Sequence, residues 1–542
     1  MQRYPIILFS FIILCGLSSS GQQSPLPHLS KKSGTTQFIV NDKPFLILGG
    51  ELGNSSASSE AYMKPLWSKF REMHLNTILA PVYWELMEPA ENKFDFSLVD
   101  MVIRNARAND LKVIFLWFGS WKNSMSCYAP AWVKKNPERF PRAQEQNGKG
   151  MEILSAFSEN NLQADIKAFQ AFMRHIKEMD AANQTVIMVQ VENEVGLLKE
   201  AREYTPQANA LFEQAVPATL VNYLVQHKDS LVPELRERWA ARQFTTTGNW
   251  ENMFGNGLET DEIFQAWSYA RYVNAVAAAG KSVYNLPMYV NAALNYKNVK
   301  PGQYPSAGPL PQVTDIWQAG APAIDMLSPD FYNPYFKQYC DLYIRQNNPF
   351  FIPEIRFEDD DAAKVFLAIG HYRSMGFSPF SIESAAHPKE EPIAKSYAIL
   401  HQLMPYILKQ KPNLGMEGVL VEKGMPHPSI QLGKYQIEIA HELSLGWSPR
   451  SKDSTWAMGG GIVIQTAEDE FLIAGTGIVC TFSDLSTNQD AIGILSAEEG
   501  YFENGAWIAG RRMNGDQDHQ GRHIRISSGE WGIQKVKLYH YR

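Results

Sequence analysis

The sequence contains little cysteine, four residues among 542, and this scarcity excludes two classes of protein. A disulfide-rich scaffold needs a dense, even set of cysteines, and a cysteine zinc site needs them at close spacing. Apart from Cys15 near the N-terminus, the chain has Cys127, Cys340 and Cys480, and their spacing fits neither class. We expect three buried or idle thiols, with one bridge left open as an alternative in an oxidising compartment.

An excess of basic charge is also lacking. The formal net charge is −7 and no long run of lysine or arginine occurs, so the chain lacks the electrostatic footprint of a nucleic-acid-binding protein. Beyond the first 21 residues, no stretch approaches the roughly 18 consecutive apolar residues of a transmembrane helix. We therefore expect no nucleic-acid partner and no membrane span.

The first 21 residues have the pattern of a secretory signal peptide. Arg3 supplies a positive charge, residues 6–17 are predominantly apolar, and residues 18–21 are small enough for cleavage. This pattern predicts export to the periplasm or the extracellular space. Cys15 leaves a lipoprotein anchor as an alternative, but Leu14 precedes it where a lipidation signal needs a small residue, so we favour simple removal.

Two acidic residues stand at the ends of two apolar runs. Glu194 ends the run 186–194, and Glu354 ends the run 349–354. Continuous apolar runs of this length are typical of central strands that are covered on both faces. Barrel enzymes place catalytic groups at the carboxyl ends of such strands, and paired carboxylates are the machinery of glycoside hydrolysis. The pair therefore predicts a hydrolase that acts on carbohydrate.

Strand-like and helix-like segments alternate through residues 36–410, which predicts an α/β fold, a (β/α)8 TIM barrel. The eight strand candidates are residues 45–49, 77–83, 112–118, 185–192, 288–292, 323–328, 350–354 and 377–382. In this count Glu194 follows strand four and Glu354 ends strand seven. After a polar boundary near residues 409–415, short alternating runs predict a smaller all-β sandwich domain over residues 415–542. The strand-like runs are residues 435–439, 461–466, 470–474, 477–482, 492–497, 500–503 and 535–541.

Several segments resemble the clan A glycoside hydrolases, most closely the family 35 β-galactosidases. The matching segments are residues 189–196 (VQVENEVG), 75–78 (LNTI), 84–89 (WELMEP), 94–96 (FDF) and 130–132 (PAW). The C-terminal part resembles the β-rich addition found in one bacterial branch of these enzymes. The resemblance covers the barrel, and the first segment is the most specific.

The resemblance implies an exo-acting, retaining β-galactosidase that uses no metal and no other cofactor. Glu194 is then the acid/base, Glu354 the nucleophile, and Asn193 the partner of the sugar 2-hydroxyl. The hydroxyl of Tyr332, at the end of strand six, would donate to the nucleophile. Strand alternation alone puts Glu192 and Glu194 on the same side, so only the Asn-Glu motif selects Glu194.

Further candidates for substrate contact lie at the predicted strand ends. Glu51 follows strand one, Trp84 follows strand two, and Trp117 and Trp121 lie on or after strand three. Asn123 stands where family 35 commonly has a glutamate that holds galactose. An amide both donates and accepts whereas an ionised carboxylate only accepts, so this departure leaves another glycone as an alternative.

A third alternative is a carbohydrate-binding protein on an inactive barrel, which the presence of both Glu194 and Glu354 disfavours. For the C-terminal domain we favour packing against the barrel over sugar binding. The sequence does not indicate an oligomeric state.

Overall fold

The computed structural model describes residues 25–541, except for 33–34, 346–347, 410–413 and 486–490. The predicted signal peptide and Cys15 lie outside these residues. Within them, no helix combines the length and the apolar character needed to cross a bilayer. Cys127 is exposed, Cys340 and Cys480 are buried, and none of the three is paired in a disulfide.

Eight parallel strands close into a barrel in chain order, which confirms the predicted fold. The barrel strands are β1 (Ile47–Glu51), β2 (Thr77–Tyr83), β3 (Lys112–Lys122), β4 (Val186–Asn193), β5 (Met288–Ala293), β6 (Met326–Phe331), β7 (Ile352–Ile355) and β8 (Gly376–Pro379). Every residue of β2, β4, β6 and β7 is buried, as expected for strands covered by helices outside and by side chains inside.

Helices follow the strands and cover the barrel, with additional helices between β4 and β5. The helices are Glu60–Met63, Leu66–Glu72, Trp84–Met87, Ser97–Ala108, Ala131–Lys134, Glu159–Asp180, Pro206–Phe212, Ala218–Gln226, Pro233–Ala240, Trp250–Phe254, Leu258–Val283, Thr314–Gly320, Phe336–Tyr343, Asp361–Gly370 and Pro392–Leu408. Pro65 separates the helices Glu60–Met63 and Leu66–Glu72, and Pro217 directly precedes the helix Ala218–Gln226.

Two short antiparallel sheets flank the barrel. The first consists of His28–Lys32, Thr35–Val40 and Lys43–Pro44, and the second of Arg142–Gln144 and Gly150–Leu154.

The C-terminal region, residues 416–541, consists of two antiparallel sheets. Its strands are β9 (Met416–Val421), β10 (Ser429–Leu432), β11 (Tyr435–His441), β12 (Gly459–Ala467), β13 (Glu470–Thr476), β14 (Ile478–Asp484), β15 (Ala491–Glu503), β16 (Ala506–Met513), β17 (Ile524–Ile526) and β18 (Gly532–Tyr541). The sheet orders are β9-β12-β13-β18-β15-β16 and β10-β11-β14-β17. Apolar side chains of both sheets form one core, so the predicted sandwich is present.

The sequence patterns missed four strands of this region, β9, β10, β16 and β17, and divided β15 into two. β15 stays continuous because it accommodates an irregularity between Ile494 and Ser496 while it pairs with β18.

The C-terminal region packs closely against helix Asp361–Gly370 of the barrel. Gly418 of β9 lies so near this helix that a Cβ atom would be 2.2 Å from the carbonyl oxygen of Phe366. Leu420 and Ile462 belong to the same buried core as the barrel helices. The two parts of the chain therefore share apolar packing rather than being joined by a linker alone.

Candidate active site

Strand register brings acidic side chains together at the carboxyl end of the barrel. Asp330 of β6 pairs with Glu354 of β7, and Lys122 of β3 pairs with Asn193 of β4. One carboxylate oxygen from each of Glu194, Asp330 and Glu354 lies within 4.8 Å of the other two. The two glutamates that the sequence predicts as a pair, 160 residues apart in the chain, thus belong to one cluster.

The backbone of Glu194 is fixed from two sides. Its N–H donates to Oδ1 of Asn291 on β5 at 2.9 Å, and its carbonyl accepts from the N–H of Ser124 at 3.2 Å. These bonds hold the residue at φ 44°, in the left-handed region that a glutamate rarely occupies. The side chain of Asn123 donates to Oε2 of Glu194. Asn123 therefore lies beside the predicted acid/base, at an exposed position on the rim.

Glu192 does not share a side with Glu194, contrary to the expectation from strand alternation. Glu192 also has a positive φ, 62°, which rotates its side chain out of the strand pattern. Its Oε2 accepts from the N–H of Trp121 at 2.7 Å, and burial, followed by the charge of Asp165 on helix Glu159–Asp180, raises the pKa of Glu192. Glu192 thus joins β4 to β3 and faces an outer helix.

Glu354 is 3% exposed and accepts a hydrogen bond from the hydroxyl of Tyr332 through Oε1. Its Oε2 is buried without a partner among the described residues. Arg356, two residues after Glu354, has its guanidinium group 3.8 Å from the carboxylate of Glu358. Tyr332 thus contacts Glu354 as the resemblance implies, and the second carboxylate oxygen of Glu354 has no protein partner among the described residues.

Glu51 is the fourth carboxyl of the cluster. It is 1% exposed, and neither of its carboxyl oxygens has a hydrogen-bond partner among the described residues. Burial, followed by the charge of Glu354, raises the pKa of Glu51 well above its ordinary value. The raised pKa favours the neutral form of Glu51 beside Glu354.

Asp330 also lies beside Glu194, and its Oδ2 accepts from the side-chain amide of Asn291 at 2.6 Å. Burial and then the charge of Glu354 raise the pKa of Asp330 well above its ordinary value. Burial and then Glu354 also raise the pKa of Glu194 to about 7, against the opposing effects of Lys122, Asp330 and Asn123. A pKa near neutrality suits a group that must both give and take a proton.

Lys122 is buried beside this cluster, and its charge lowers the pKa values of Glu51, Glu194 and Asp330. Its ammonium group donates to Oδ1 of Asn193 at 2.8 Å. Because an ammonium group only donates, the amide oxygen of Asn193 must face Lys122 and the amide nitrogen must face away. That nitrogen is buried without a partner among the described residues, so it is free to donate to a ligand.

Trp84 does not line the site, contrary to the prediction of a sugar-stacking ring. Its side chain is fully buried between Trp117 and Trp132, and its ring N–H donates to Glu88 at 2.8 Å. Trp117 and Trp121 are also fully buried. These aromatic side chains belong to the packing beneath the rim because the rings fill the space between β2, β3 and the outer helices.

The carboxylates of Glu194, Asp330 and Glu354 are close enough for an oxygen from each to bind one cation. Glu194 and Glu354 are the predicted acid/base and nucleophile, and Asp330 lies beside Glu194 and lowers its pKa. Acidic groups at this spacing also occur without any ion, so the absence of a cofactor stays a prediction.

Three residues of the site were not found by sequence reasoning: Lys122, Asn291 and Asp330. All three lie near the carboxyl end of a barrel strand, and each is a polar residue within or beside an apolar run. That signal was used for the glutamates and would have identified Asn291 and Asp330 as well. Lys122 precedes a tight turn at Asn123 and Ser124, both with left-handed φ, and this turn brings it into the barrel.

Comparisons with known proteins agree with the predicted class. Residues 56–267 match a glycoside hydrolase family 42 model described as beta-galactosidase, and residues 393–525 match a domain of unknown function, DUF5597. This chain resembles glycoside hydrolases. Family 35 is not confirmed, since the matching model represents a related family of the same clan.

Among curated proteins, the chain is similar to a beta-galactosidase of Xanthomonas manihotis, with 28% identity over 187 residues. That match covers 33% of this chain and 29% of the relative, so the chain spans less than a third of the relative's length.

Two solved structures show partial similarity to this chain. The beta-galactosidase from Marinomonas ef1 has a TM-score of 0.46 and 11% identity, over 67% of this chain and 61% of that chain. The cold-adapted beta-galactosidase from Rahnella sp. R3 has a TM-score of 0.47 and 10% identity, over 92% of this chain and 99% of that chain.

Proposed function

We propose that this protein is an exo-acting, retaining β-galactosidase that releases terminal β-linked galactose from oligosaccharides or polysaccharides. The observation that carries the proposal is the pair Glu194 and Glu354, with oxygens within 4.8 Å of each other at the mouth of the barrel. Retaining glycosidases separate their two carboxyl groups by about 5–5.5 Å, whereas inverting enzymes need about 6.5–9.5 Å to admit a water molecule.

In the first step Glu354 attacks the anomeric carbon through Oε2, the oxygen that has no protein partner. The bond from that carbon to the leaving oxygen breaks, and Glu194 gives its proton to the leaving group. Tyr332 donates to Glu354 and so stabilises its ionised form before attack, and the raised pKa of Glu51 reduces the charge repulsion between these two carboxyl groups. The product is a covalent glycosyl-enzyme and a free aglycone.

In the second step the ionised Glu194 takes a proton from water, and the water oxygen attacks the anomeric carbon. The bond to Glu354 breaks, and galactose leaves with the configuration that it had in the substrate. The amide nitrogen of Asn193, oriented by Lys122, donates to the 2-hydroxyl through both steps.

Two features support the finer parts of the proposal. Glu194 and Glu354 are only 5% and 3% exposed, so a chain end reaches them more readily than the middle of a polymer. The similarity to enzymes described as beta-galactosidases favours galactose over other glycones. Asn123 at the rim is the feature that leaves a different glycone open.

A panel of nitrophenyl β-glycosides tests the proposal. Turnover of the galactoside at least 100-fold faster than of the glucoside, xyloside and mannoside is the expected result. If the protein hydrolyses only a glycoside of another sugar, the assigned glycone is wrong, while the proposed mechanism still applies. An absence of turnover with every sugar would favour a carbohydrate-binding protein on an inactive barrel.

Replacing Lys122 by methionine tests its role as a positioning residue. We expect kcat/KM for nitrophenyl β-galactoside to fall by roughly 10²-fold, because Asn193 loses its fixed orientation. The loss should be much smaller with the 2-deoxy-galactoside, which has no 2-hydroxyl to bind. Because Lys122 lowers the pKa of Glu194, its removal should also move the alkaline limb of the pH profile to higher pH.

The matched control is Lys134→Met, which removes an ammonium group 3.6 Å from Glu85 and outside the cluster. It should retain the wild-type pH profile. If Lys122→Met lowers kcat/KM equally for the galactoside and the 2-deoxy-galactoside and leaves the pH profile unchanged, Lys122 has a structural role only.

We propose further that the protein is exported, on the strength of the charged, apolar and small-residue segments at positions 1–21. Sequencing the N-terminus of the protein from a periplasmic or extracellular fraction tests this. A mature chain that begins near residue 22 supports cleavage, and a lipid-modified Cys15 would support the anchor.

A further inference from the structure

A pocket of about 470 Å³ lies where the loops after β6 and β7 meet the C-terminal region. The barrel side includes Tyr332, Tyr335 and Arg356, and the C-terminal region contributes Met425 and Met458. This volume is within the range of sites that hold small molecules, about 300–1,000 Å³. The pocket therefore has one wall from each part of the chain.

The pocket adjoins the catalytic cluster through Tyr332. The hydroxyl of this tyrosine contacts Glu354, and the same residue lines the pocket. Arg356 directly follows β7 and lies 5.5 Å from the centre of the Tyr332 ring. A ligand in the pocket would therefore lie against the residue that donates to the proposed nucleophile.

The charges that line the pocket are balanced. Three are cationic and three acidic, namely Lys337, Arg356, Lys364, Glu358, Asp360 and Glu422. Lys337 lies 3.9 Å from Glu422, and Arg356 lies 3.8 Å from Glu358. Because these charges largely satisfy one another, the pocket offers no net attraction to an anionic or a cationic ligand.

The remaining lining suits a sugar chain. Tyr332 and Tyr335 supply rings, Asn333 supplies an amide, and Met425 and Met458 supply adaptable apolar surface. Met425 is 55% exposed, so its side chain is accessible to a ligand in the pocket. Apolar surface beside many hydrogen-bonding groups matches the alternating apolar and hydroxyl-bearing surfaces of a hexose.

We infer that this pocket binds the uncharged oligosaccharide that follows the terminal galactose. The C-terminal region, most of which matches a domain of unknown function, then forms one wall of the substrate site. This inference rests on the proposed function, since the bound segment is the aglycone of that reaction. The inference goes beyond the proposed function in two respects. It states that the aglycone is uncharged, and it places the aglycone between the barrel and the C-terminal region.

The test measures binding by calorimetry in the Glu354→Gln background, with galactose and with a β-linked galactotriose as the two probes. Met425→Arg places a long cation in the pocket, so the ratio of the trisaccharide Kd to the galactose Kd should rise by about tenfold. The matched control is Leu495→Arg, because Leu495 is 57% exposed and lies on β15 outside the pocket. It should leave the ratio unchanged, and thermal melting checks that both variants fold.

The inference is overturned if Met425→Arg leaves the ratio of the two Kd values unchanged. It is also overturned if the Glu354→Gln variant with Met425 intact binds the trisaccharide no more tightly than galactose. A separate assay on the otherwise unmodified chain measures galactose release from the trisaccharide. If Met425→Arg weakens trisaccharide binding but the chain releases no galactose, the result supports oligosaccharide binding in the pocket and contradicts the proposed function.

Discussion

Replacing Glu354 by alanine should lower kcat for nitrophenyl β-galactoside by about 10⁴-fold or more, since the variant has no group to form the covalent intermediate. Azide should restore part of the activity because it fits the vacated space and attacks the same face of the anomeric carbon. The restored product should be the α-galactosyl azide, which NMR identifies.

The matched control for this variant is Asp359→Asn, which changes an exposed carboxylate that also follows β7. It should retain wild-type activity. A Glu354→Ala variant that keeps more than a few per cent of wild-type activity, or that yields the β-galactosyl azide, would remove Glu354 from the role of nucleophile.

Replacing Glu194 by alanine should have an effect that depends on the leaving group. With an unactivated oligosaccharide, kcat/KM should fall by about 10²- to 10⁴-fold, because the departing alkoxide loses its proton donor. With dinitrophenyl β-galactoside, kcat/KM should change little, since the phenolate leaves without a proton. Azide should speed turnover of this second substrate and give the β-galactosyl azide, the opposite anomer to that expected for Glu354→Ala.

The pH dependence provides a second test of Glu194. In the proposed mechanism this group gives its proton in the first step, so it must be protonated in the free enzyme, and burial raises its pKa to about 7. For the wild-type chain kcat/KM should therefore fall as the pH rises through about 7, and this limb should vanish in Glu194→Ala. Glu200→Ala, a change on the loop that follows β4, should keep the limb. A limb that persists in Glu194→Ala would assign it to another group.

The barrel and the pair of glutamates at its mouth were predictable because two independent signals coincide. Continuous apolar runs indicate strands that are buried on both faces. An acidic residue at the end of such a run is therefore easy to recognise in the sequence. Glu194 and Glu354 each satisfy both conditions, and the structure places them in one cluster. The count of eight strands followed from the regular alternation with helices, which confines each strand to a short interval.

The rest of the site depends on local backbone geometry that the sequence pattern does not encode. Left-handed φ values at Glu192 and Glu194 override strand alternation, so the two side chains separate. A tight turn after β3 brings Lys122 inward, whereas lysine is ordinarily a surface residue. The prediction that Trp84 stacks on a sugar was wrong for a different reason. An aromatic residue near a strand end is compatible with a buried core position as well as with sugar stacking. Here the rings of Trp117 and Trp132 enclose Trp84.

In the C-terminal region the missed strands lack the expected pattern. β16 is exposed along most of its length, so it has no alternation between buried and solvated side chains. β17 is only three residues long, which is shorter than the patterns that identify strands.

The stereochemistry of the released sugar tests the central claim most directly. NMR of the first product formed from nitrophenyl β-galactoside, recorded before mutarotation, distinguishes the two anomers. Double displacement through Glu354 predicts β-galactose first, with the α anomer appearing only as mutarotation proceeds. The appearance of α-galactose as the first product would show a single displacement and contradict the assignment of Glu354 as nucleophile.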